Sequence, residues 1–214
     1  MIYAIIFLVI FVYYIKDIVT NEIIITKSKF ITTLIPVSSA LEASTCLKEV
    51  REKYIDATHN CYAYLIGDNL EIQKCSDDGE PQKTAGSPML EALKKSNVTN
   101  IMAVVTRYFG GTLLGASGLI RAYSTSVFEA LNKTTLYIKE LFLETQISLS
   151  YKEYNNLTKL NYIFIIDTLF QSDILVKIRI LKEDKTRLLA DLYNILKDDI
   201  KIDFVEVEGL KKRG

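Results

Sequence analysis

The chain lacks a net charge. Its 26 basic and 26 acidic residues cancel. They cancel again within each half, 13 against 13 up to Tyr137 and 13 against 13 beyond it. A uniformly basic RNA-coating protein is thereby excluded, though a local basic patch is not. Histidine occurs once, so any histidine-dependent triad must use His59. The three cysteines, Cys46, Cys61 and Cys75, are odd in number and lack CxxC spacing. They read as reduced thiols and exclude a disulfide partner or a zinc framework. Tryptophan is absent, so base stacking would fall to tyrosines, which are equally common in an ordinary core. No internal repeat or low-complexity run is present. With 49% hydrophobic residues in 214, the chain can bury a core in each of two domains, and disorder is not expected.

Residues 1–15 are apolar or aromatic throughout and end at Lys16-Asp17. As a helix they would span about 22 Å, short of a bilayer core of roughly 30 Å. They carry no basic n-region and no small-residue cleavage site. A non-standard extension is the expectation, ahead of a strand or a short anchor. Membrane contact is expected only if this segment is helical, with Lys16, Lys27 and Lys29 holding the rest on the cytoplasmic side.

Periodicity and turn chemistry predict strands over 22–26 and 30–37, then a helix over 39–54 with a Ser39/Glu42 capping box and Leu41, Leu47 and Val50 on its inner face. A strand pair over 58–66 and 70–74 turns at Gly67-Asp68-Asn69. A helix over 88–96 follows, capped by Thr84 or Ser87. The run 101–109 barely alternates and reads as a strand buried on both faces. A helix over 117–132 completes the first unit. From Leu136 onward, strands over 144–150, 163–169, 174–181 and 200–207 and helices over 154–160 and 185–196 give the order βαββαβ, the ferredoxin-like plan. The lysine-rich end, Lys211-Lys212-Arg213, reads as solvated.

Two stretches concentrate the chemistry. "VVTRYFGGTLLGASGLIRAY" (104–123) holds four of the nine glycines, and "SDDGEPQKTAGSP" (76–88) holds two more with two of the three prolines. Gly110 and Gly115 have P-loop spacing, but Ala116-Ser117 stands where Lys-Ser/Thr is required. The spacing at Gly115 and Gly118 is wrong for a dinucleotide fingerprint. A glycine-rich strand-to-helix turn remains. Its free N–H groups and helix dipole favour an anion, with Arg107 and Arg121 adding charge. The competing reading is a glycine turn that lets a buried strand pack close to a helix. Asp77-Asp78-Gly79-Glu80 lacks the EF-hand pattern and reads as an Asx-type turn, unless Asp78 faces Arg107 or Arg121. His59 and Cys61 share one face of a strand, so a dyad is conceivable, but a hydrogen-bonded structural histidine is the stronger reading. No metal and no cofactor are expected.

Taken together, "KSKFI", "ATHNCYAYLIG", "SDDGEPQKTAGSPML" and "VVTRYFGGTLLGASGLIRAY", in this order and spacing, resemble the IMPACT/YigZ family. The resemblance covers roughly residues 16–131. It implies an α+β chain whose N-terminal two-layer domain (16–135) is like domain IV of elongation factor G, with a left-handed crossover. A ferredoxin-like βαββαβ domain (136–210), like domain V of that factor, would follow, leaving 1–15 as an extension and 211–214 as a basic tail. Arg107, Tyr108, Gly110, Gly111, Gly115, Gly118, Arg121 and Tyr123 carry over as the candidate anion or nucleic-acid site. His59, Asp77, Asp78, Glu80 and Thr84 carry over as motif residues without an assigned role. Ser117 and Lys83 depart from the pattern, where a second glycine and a small residue are usual. The resemblance implies a cytoplasmic, non-enzymatic, translation-associated binding module whose partner is RNA, the ribosome or a translation-linked protein. The expected assembly is a monomer or weak homodimer. The alternative is an enzyme acting on an anionic or phosphorylated small molecule at Arg107, Asp78 and Gly111.

Overall fold

The structure, a computed structural model, describes residues 12–197 and 202–213. The chain divides into two compact units: one takes everything up to Ile138 together with the residues from Lys212 on, and the other is Lys139–Lys211.

In the first unit, β1 (Val19–Ile25), β2 (Ser28–Pro36), β3 (His59–Ile66), β4 (Ile72–Ser76) and β5 (Ile101–Tyr108) form one sheet in the order β1-β2-β5-β3-β4. The pairs β1/β2, β2/β5, β3/β5 and β3/β4 are all antiparallel. Central β5 is buried from Ile101 through Arg107, as its unalternating sequence predicts. Ile101, Ala103 and Val105 pack with α2 (Gly86–Lys95) and α3 (Gly115–Asn132). Met102 and Val104 pack on the other face against Ala43 and Val50 of α1 (Ala40–Lys53). A central strand apolar on both sides needs cover on both sides, so α1 adds a layer to the two expected. Because side chains alternate along a strand, Arg107 continues the row of Ile101, Ala103 and Val105 and enters the α2/α3 side at the end of β5.

Several local expectations shift. Ser39 does cap α1, accepting from the Glu42 N–H at 3.1 Å, but the Glu42 carboxylate reaches back to the Ser38 N–H and hydroxyl. Leu41 is 78% exposed, so the inner stripe runs through Ala43, Leu47 and Val50 instead. Strand β4 starts two residues late, because the Leu70 N–H closes onto the Gly67 carbonyl. Neither Thr84 nor Ser87 caps α2. The Asp77 carboxylate does, accepting from the N–H groups of Lys83, Ala85 and Gly86 at 2.8, 3.0 and 2.8 Å.

The second unit runs β6 (Tyr137–Leu149), α4 (Tyr151–Leu157), β7 (Phe164–Phe170), β8 (Ile174–Leu181), α5 (Lys185–Leu196) and β9 (Val205–Lys212). Its sheet order β7-β8-β6-β9 is that of the ferredoxin-like plan. Val176, Ile178 and Ile180 of β8 pack with Leu157 of α4 and Leu188 and Leu192 of α5. Helix α4 begins three residues before the expected start, because Ser150 and Glu153 form a full capping box. The last strand also lies later than expected, and the first part of its expected range, 200–201, falls outside the described residues. Lys211 and Lys212 are therefore strand residues. Lys212 and Arg213 are exposed, and Arg213 also donates its N–H to the Leu136 carbonyl and lies 4.6 Å from the Tyr13 ring centroid.

Most of the expected 1–15 extension lies outside the described residues. Tyr13, Tyr14 and Ile15, which were assigned to it, do not belong to an appendage. Tyr13 donates to Asn97 and accepts from Thr99, Tyr14 exchanges backbone hydrogen bonds with Tyr137, and Tyr14 and Ile15 are 5% and 4% exposed. Two buried large side chains contribute roughly 3–6 kcal/mol together. A chain starting at residue 16 is therefore expected to unfold at markedly lower urea than one starting at residue 12. Equal midpoints would show that residues 12–15 do not belong to the core.

Candidate functional site

Arg107 and Glu80 meet inside the first unit, with Nη1 of Arg107 2.6 Å from Oε1 of Glu80. The residues are 5% and 8% exposed. Removing two charges from water is costly unless each gains partners, and each does. Tyr123 of α3 donates to the same Glu80 oxygen at 2.8 Å. Nη2 of Arg107 donates to Ser28 Oγ at 3.3 Å, and the guanidinium carbon lies 5.4 and 5.6 Å from the ring centroids of Phe30 and Phe109. The Arg107 Nε is buried without a partner.

The loop after β4 delivers Glu80. Asp78 and Gly79 adopt left-handed φ values of 42° and 89°, which turn the chain between Asp77, facing α2, and Glu80, facing the core. The Asp78 carboxylate meets neither expected arginine. It pairs with Arg51 of α1 and accepts the Asn60 N–H at 2.7 Å. The reason is geometric: at φ 42° the Asp78 side chain leaves the turn toward α1, while the residue two along points inward. Thr84 donates to the Pro81 carbonyl at 2.6 Å and closes the loop. Lys83, one of the two departures from the motif, takes a left-handed φ of 62°.

His59 pairs with Arg107 in the β3/β5 register. Its Nδ1 lies 2.8 Å from the Asp78 carbonyl oxygen. A carbonyl only accepts, so Nδ1 carries the proton, and Nε2 is left 3.9 Å from Glu80 Oε1. Cys61 is fully buried, its Sγ 2.9 Å from the Asp77 carbonyl oxygen and 3.3 Å from the Tyr123 oxygen. Burial pushes its thiol up to about 12, with the Glu80, Asp78 and Asp77 charges acting in the same direction. Burial likewise raises Tyr123, reinforced by Cys61 and Glu80.

The glycines have separate reasons. A side chain at Gly110 would come within 2.0 Å of the Lys27 carbonyl oxygen, and the Gly110 N–H donates to Ser28 Oγ at 3.2 Å. Gly111 and Gly115 carry φ values of 81° and 68°. Gly118 lies within the first turns of α3, where a Cβ would meet Leu114 at 3.1 Å. Beyond the loop opens a cavity of about 380 Å³ lined by Thr58, His59, Gly79, Glu80, Pro81, Arg107, Phe109, Leu113, Leu114, Gly115, Ala116 and Leu119.

Of the sequence-expected residues, His59, Glu80, Arg107 and Gly115 line this cavity, with Tyr123 behind Glu80. Arg121 is exposed and is not among the lining residues. Tyr108 hydrogen-bonds Asp56 at 2.8 Å and has Lys29 Nζ 4.8 Å from its ring centroid. The sequence reading missed the apolar rim: Phe109 and Leu113, 46% and 87% exposed, and Leu114. The available signal was their apolarity inside a glycine loop. Among the described residues no cluster of three or more His, Cys, Asp or Glu is arranged to hold a metal, and no helix is long and apolar enough to cross a membrane.

Comparison with known proteins points the same way as the motifs. The family model for the Impact N-terminal domain matches residues 26–131. The IMPACT family member YvyE of Bacillus subtilis (strain 168) is 49% identical over 137 residues, which cover 64% of this chain and 63% of that protein. The match thus spans just under two thirds of that relative's length. The IMPACT family member YigZ of Escherichia coli (strain K12) is 38% identical over 162 residues, 72% of this chain and 78% of that protein. A crystal structure of a hypothetical protein superposes with a TM-score of 0.58 at 32% identity, covering 90% of this chain and 95% of the other.

A testable consequence concerns pH. In the unfolded chain Cys61 ionises near 9.0, whereas in the folded protein it stays neutral up to about 12. Between those values the unfolded state binds fewer protons, so stability falls as pH rises. At pH 10.5 this one group is expected to lower stability by on the order of 2 kcal/mol. Urea midpoints at pH 8 and 10.5 should drop in the wild type and drop less in Cys61→Ala. An equal drop in both would remove Cys61 from the account.

Proposed function

The chain belongs to the IMPACT family, and on that premise we propose that it is a non-catalytic, translation-associated regulator that docks a protein partner at the cavity of its first unit. The observation that carries this reading is the Arg107–Glu80 pair at 2.6 Å beneath an apolar rim of Phe109, Leu113 and Leu114. The pair leaves the cavity floor close to neutral. An RNA backbone needs several uncommitted cations in a row, whereas Arg107 is held by Glu80, and Arg121 is not among the lining residues. An apolar pocket with a few fixed polar groups is what a partner's side chain fills. A ribosomal or translation-associated protein is therefore favoured over RNA as the partner, through contacts with little salt dependence.

The enzyme alternative draws on one observation, the Nε2 of His59, unprotonated in the neutral ring and facing Glu80. Against it, the Asp78 carboxylate is occupied by Arg51 and Asn60, and Cys61, pushed up to about 12, is a thiol at neutral pH. Turnover of a phosphorylated metabolite abolished by His59→Ala would establish the enzyme.

The docking reading is tested by affinity capture of the tagged chain from lysate. Leu113→Asp alters a residue that is 87% exposed, so folding is not at risk. A translation component that survives nuclease and high salt and disappears with Leu113→Asp is the expected outcome. Capture lost on nuclease and indifferent to Leu113→Asp would return the site to RNA.

A further inference from the structure

Two acceptors at the floor of the cavity lack a donor. The Glu80 carboxylate receives both of its hydrogen bonds on Oε1, from Arg107 Nη1 at 2.6 Å and from the Tyr123 hydroxyl at 2.8 Å. Its Oε2 receives none, although the residue is only 8% exposed. Among the described residues, the sealed side-chain atoms without a partner are Thr33 Oγ1 and Arg107 Nε. Oε2 is not one of them, so it is open, and the space that Glu80 lines is the cavity. His59 lines the same space, and with its proton on Nδ1 it leaves Nε2 3.9 Å from Glu80 Oε1. A carboxylate and an unprotonated ring nitrogen only accept. Side by side they repel, and a buried acceptor left without a donor is costly.

The missing donor must be neutral. Glu80 is the one carboxylate among the lining residues, and Arg107 balances it. A lysine or arginine head would find no counter-ion left. The body that carries the donor must be large and apolar, because Pro81, Phe109, Leu113, Leu114 and Leu119 make up much of the remaining lining. A volume of about 380 Å³ lies near the lower end of the roughly 300–1,000 Å³ of small-molecule pockets, room for one large side chain and not for a helix. The indole of tryptophan is a neutral donor that accepts nothing and carries two fused apolar rings. A tyrosine hydroxyl would bring further lone pairs to a floor already short of donors. The chain itself contains no tryptophan, so the indole must come from another molecule and not from a second copy.

We propose that the cavity seats a tryptophan side chain of a partner polypeptide, its indole N–H donating to the Glu80 Oε2 and His59 Nε2 acceptors and its rings packed against Phe109, Leu113 and Leu119. Tryptophan is among the residues that most often anchor protein interfaces. The proposal rests on the protein-docking reading above and deepens it.

Because the chain has no tryptophan, the ligand reports its own binding. The untagged full chain is titrated into a capped pentapeptide with one tryptophan between glycines, excited beyond the absorption of tyrosine. Saturable binding with a blue shift of the emission is expected. A matching peptide carries benzothienylalanine, in which sulfur replaces the indole N–H at nearly the same size. It should compete at least about tenfold less well, the loss of one hydrogen bond to a charged group. His59→Phe keeps a ring and loses the acceptor. It should weaken the tryptophan peptide several-fold and leave the benzothienyl peptide unchanged, whereas a merely structural histidine would weaken both or neither. The one histidine gives one set of imidazole nitrogen resonances, which should show the neutral Nδ1–H ring at neutral pH. A doubly protonated ring would itself supply Glu80 with a donor and overturn the proposal, as would equal binding of the two peptides. Free L-tryptophan competing as well as the peptide overturns the polypeptide source in favour of the amino acid. If no tryptophan peptide binds while Leu113→Asp still abolishes capture of a translation component, the tryptophan assignment falls and protein docking stands. If Leu113→Asp also leaves capture unchanged, both fall.

Discussion

The first unit is organised around one buried ion pair, Arg107 with Glu80. Its desolvation penalty is large, and a pair of this kind persists only where the remaining donors and lone pairs find partners. Much of the chemistry of the two motif stretches answers that requirement. Tyr123 donates to Glu80 from α3, Ser28 accepts from Arg107 at the start of β2, and Phe30 and Phe109 flank the guanidinium. Asp77 and Asp78 anchor the intervening loop to α2 and α1 so that Glu80 arrives with its carboxylate inward. The pair also sets the electrostatics of the cavity above it, leaving its floor near neutral.

Legibility in the sequence followed the range of the interaction. Elements set by local periodicity, such as β5 and α3, could be read to within a residue or two. The doubly buried character of β5 was visible in its unbroken apolar run. The acidic loop shows where the residues that escape such reading lie. Two adjacent aspartates and a glutamate all suit an arginine partner, and spacing alone does not choose among them. The choice falls to the backbone, where positive φ at Asp78 and Gly79 sends one carboxylate to α1 and another to the core. Leu41 failed for a related reason: a helical stripe shows periodicity, not which of two overlapping stripes faces the sheet.

The glycine loop answers to two constraints at once. Gly110 is required because β2's leading turn passes too close for a Cβ, while Gly111 and Gly115 are required for left-handed backbone where the chain swings from β5 into α3. That swing exposes the helix end and the apolar rim together. Packing alone would explain the glycines. The functional reading rests instead on what lies beside them, the Arg107–Glu80 pair beneath an apolar rim in which Leu113 is 87% exposed. The chain's membership of the IMPACT family rests on the relative at 38% identity, covered over 78% of its length.

The central claim, that Arg107 and Glu80 act as one buried unit on which the site depends, is most directly tested by a double-mutant cycle. Urea unfolding of Arg107→Met, Glu80→Gln and the double variant yields the coupling energy. Each single change strands a buried charge or its donors and should cost roughly 3–5 kcal/mol, with the double costing far less than the sum. Single costs that simply add would contradict the account, because the two side chains would then be contributing independently.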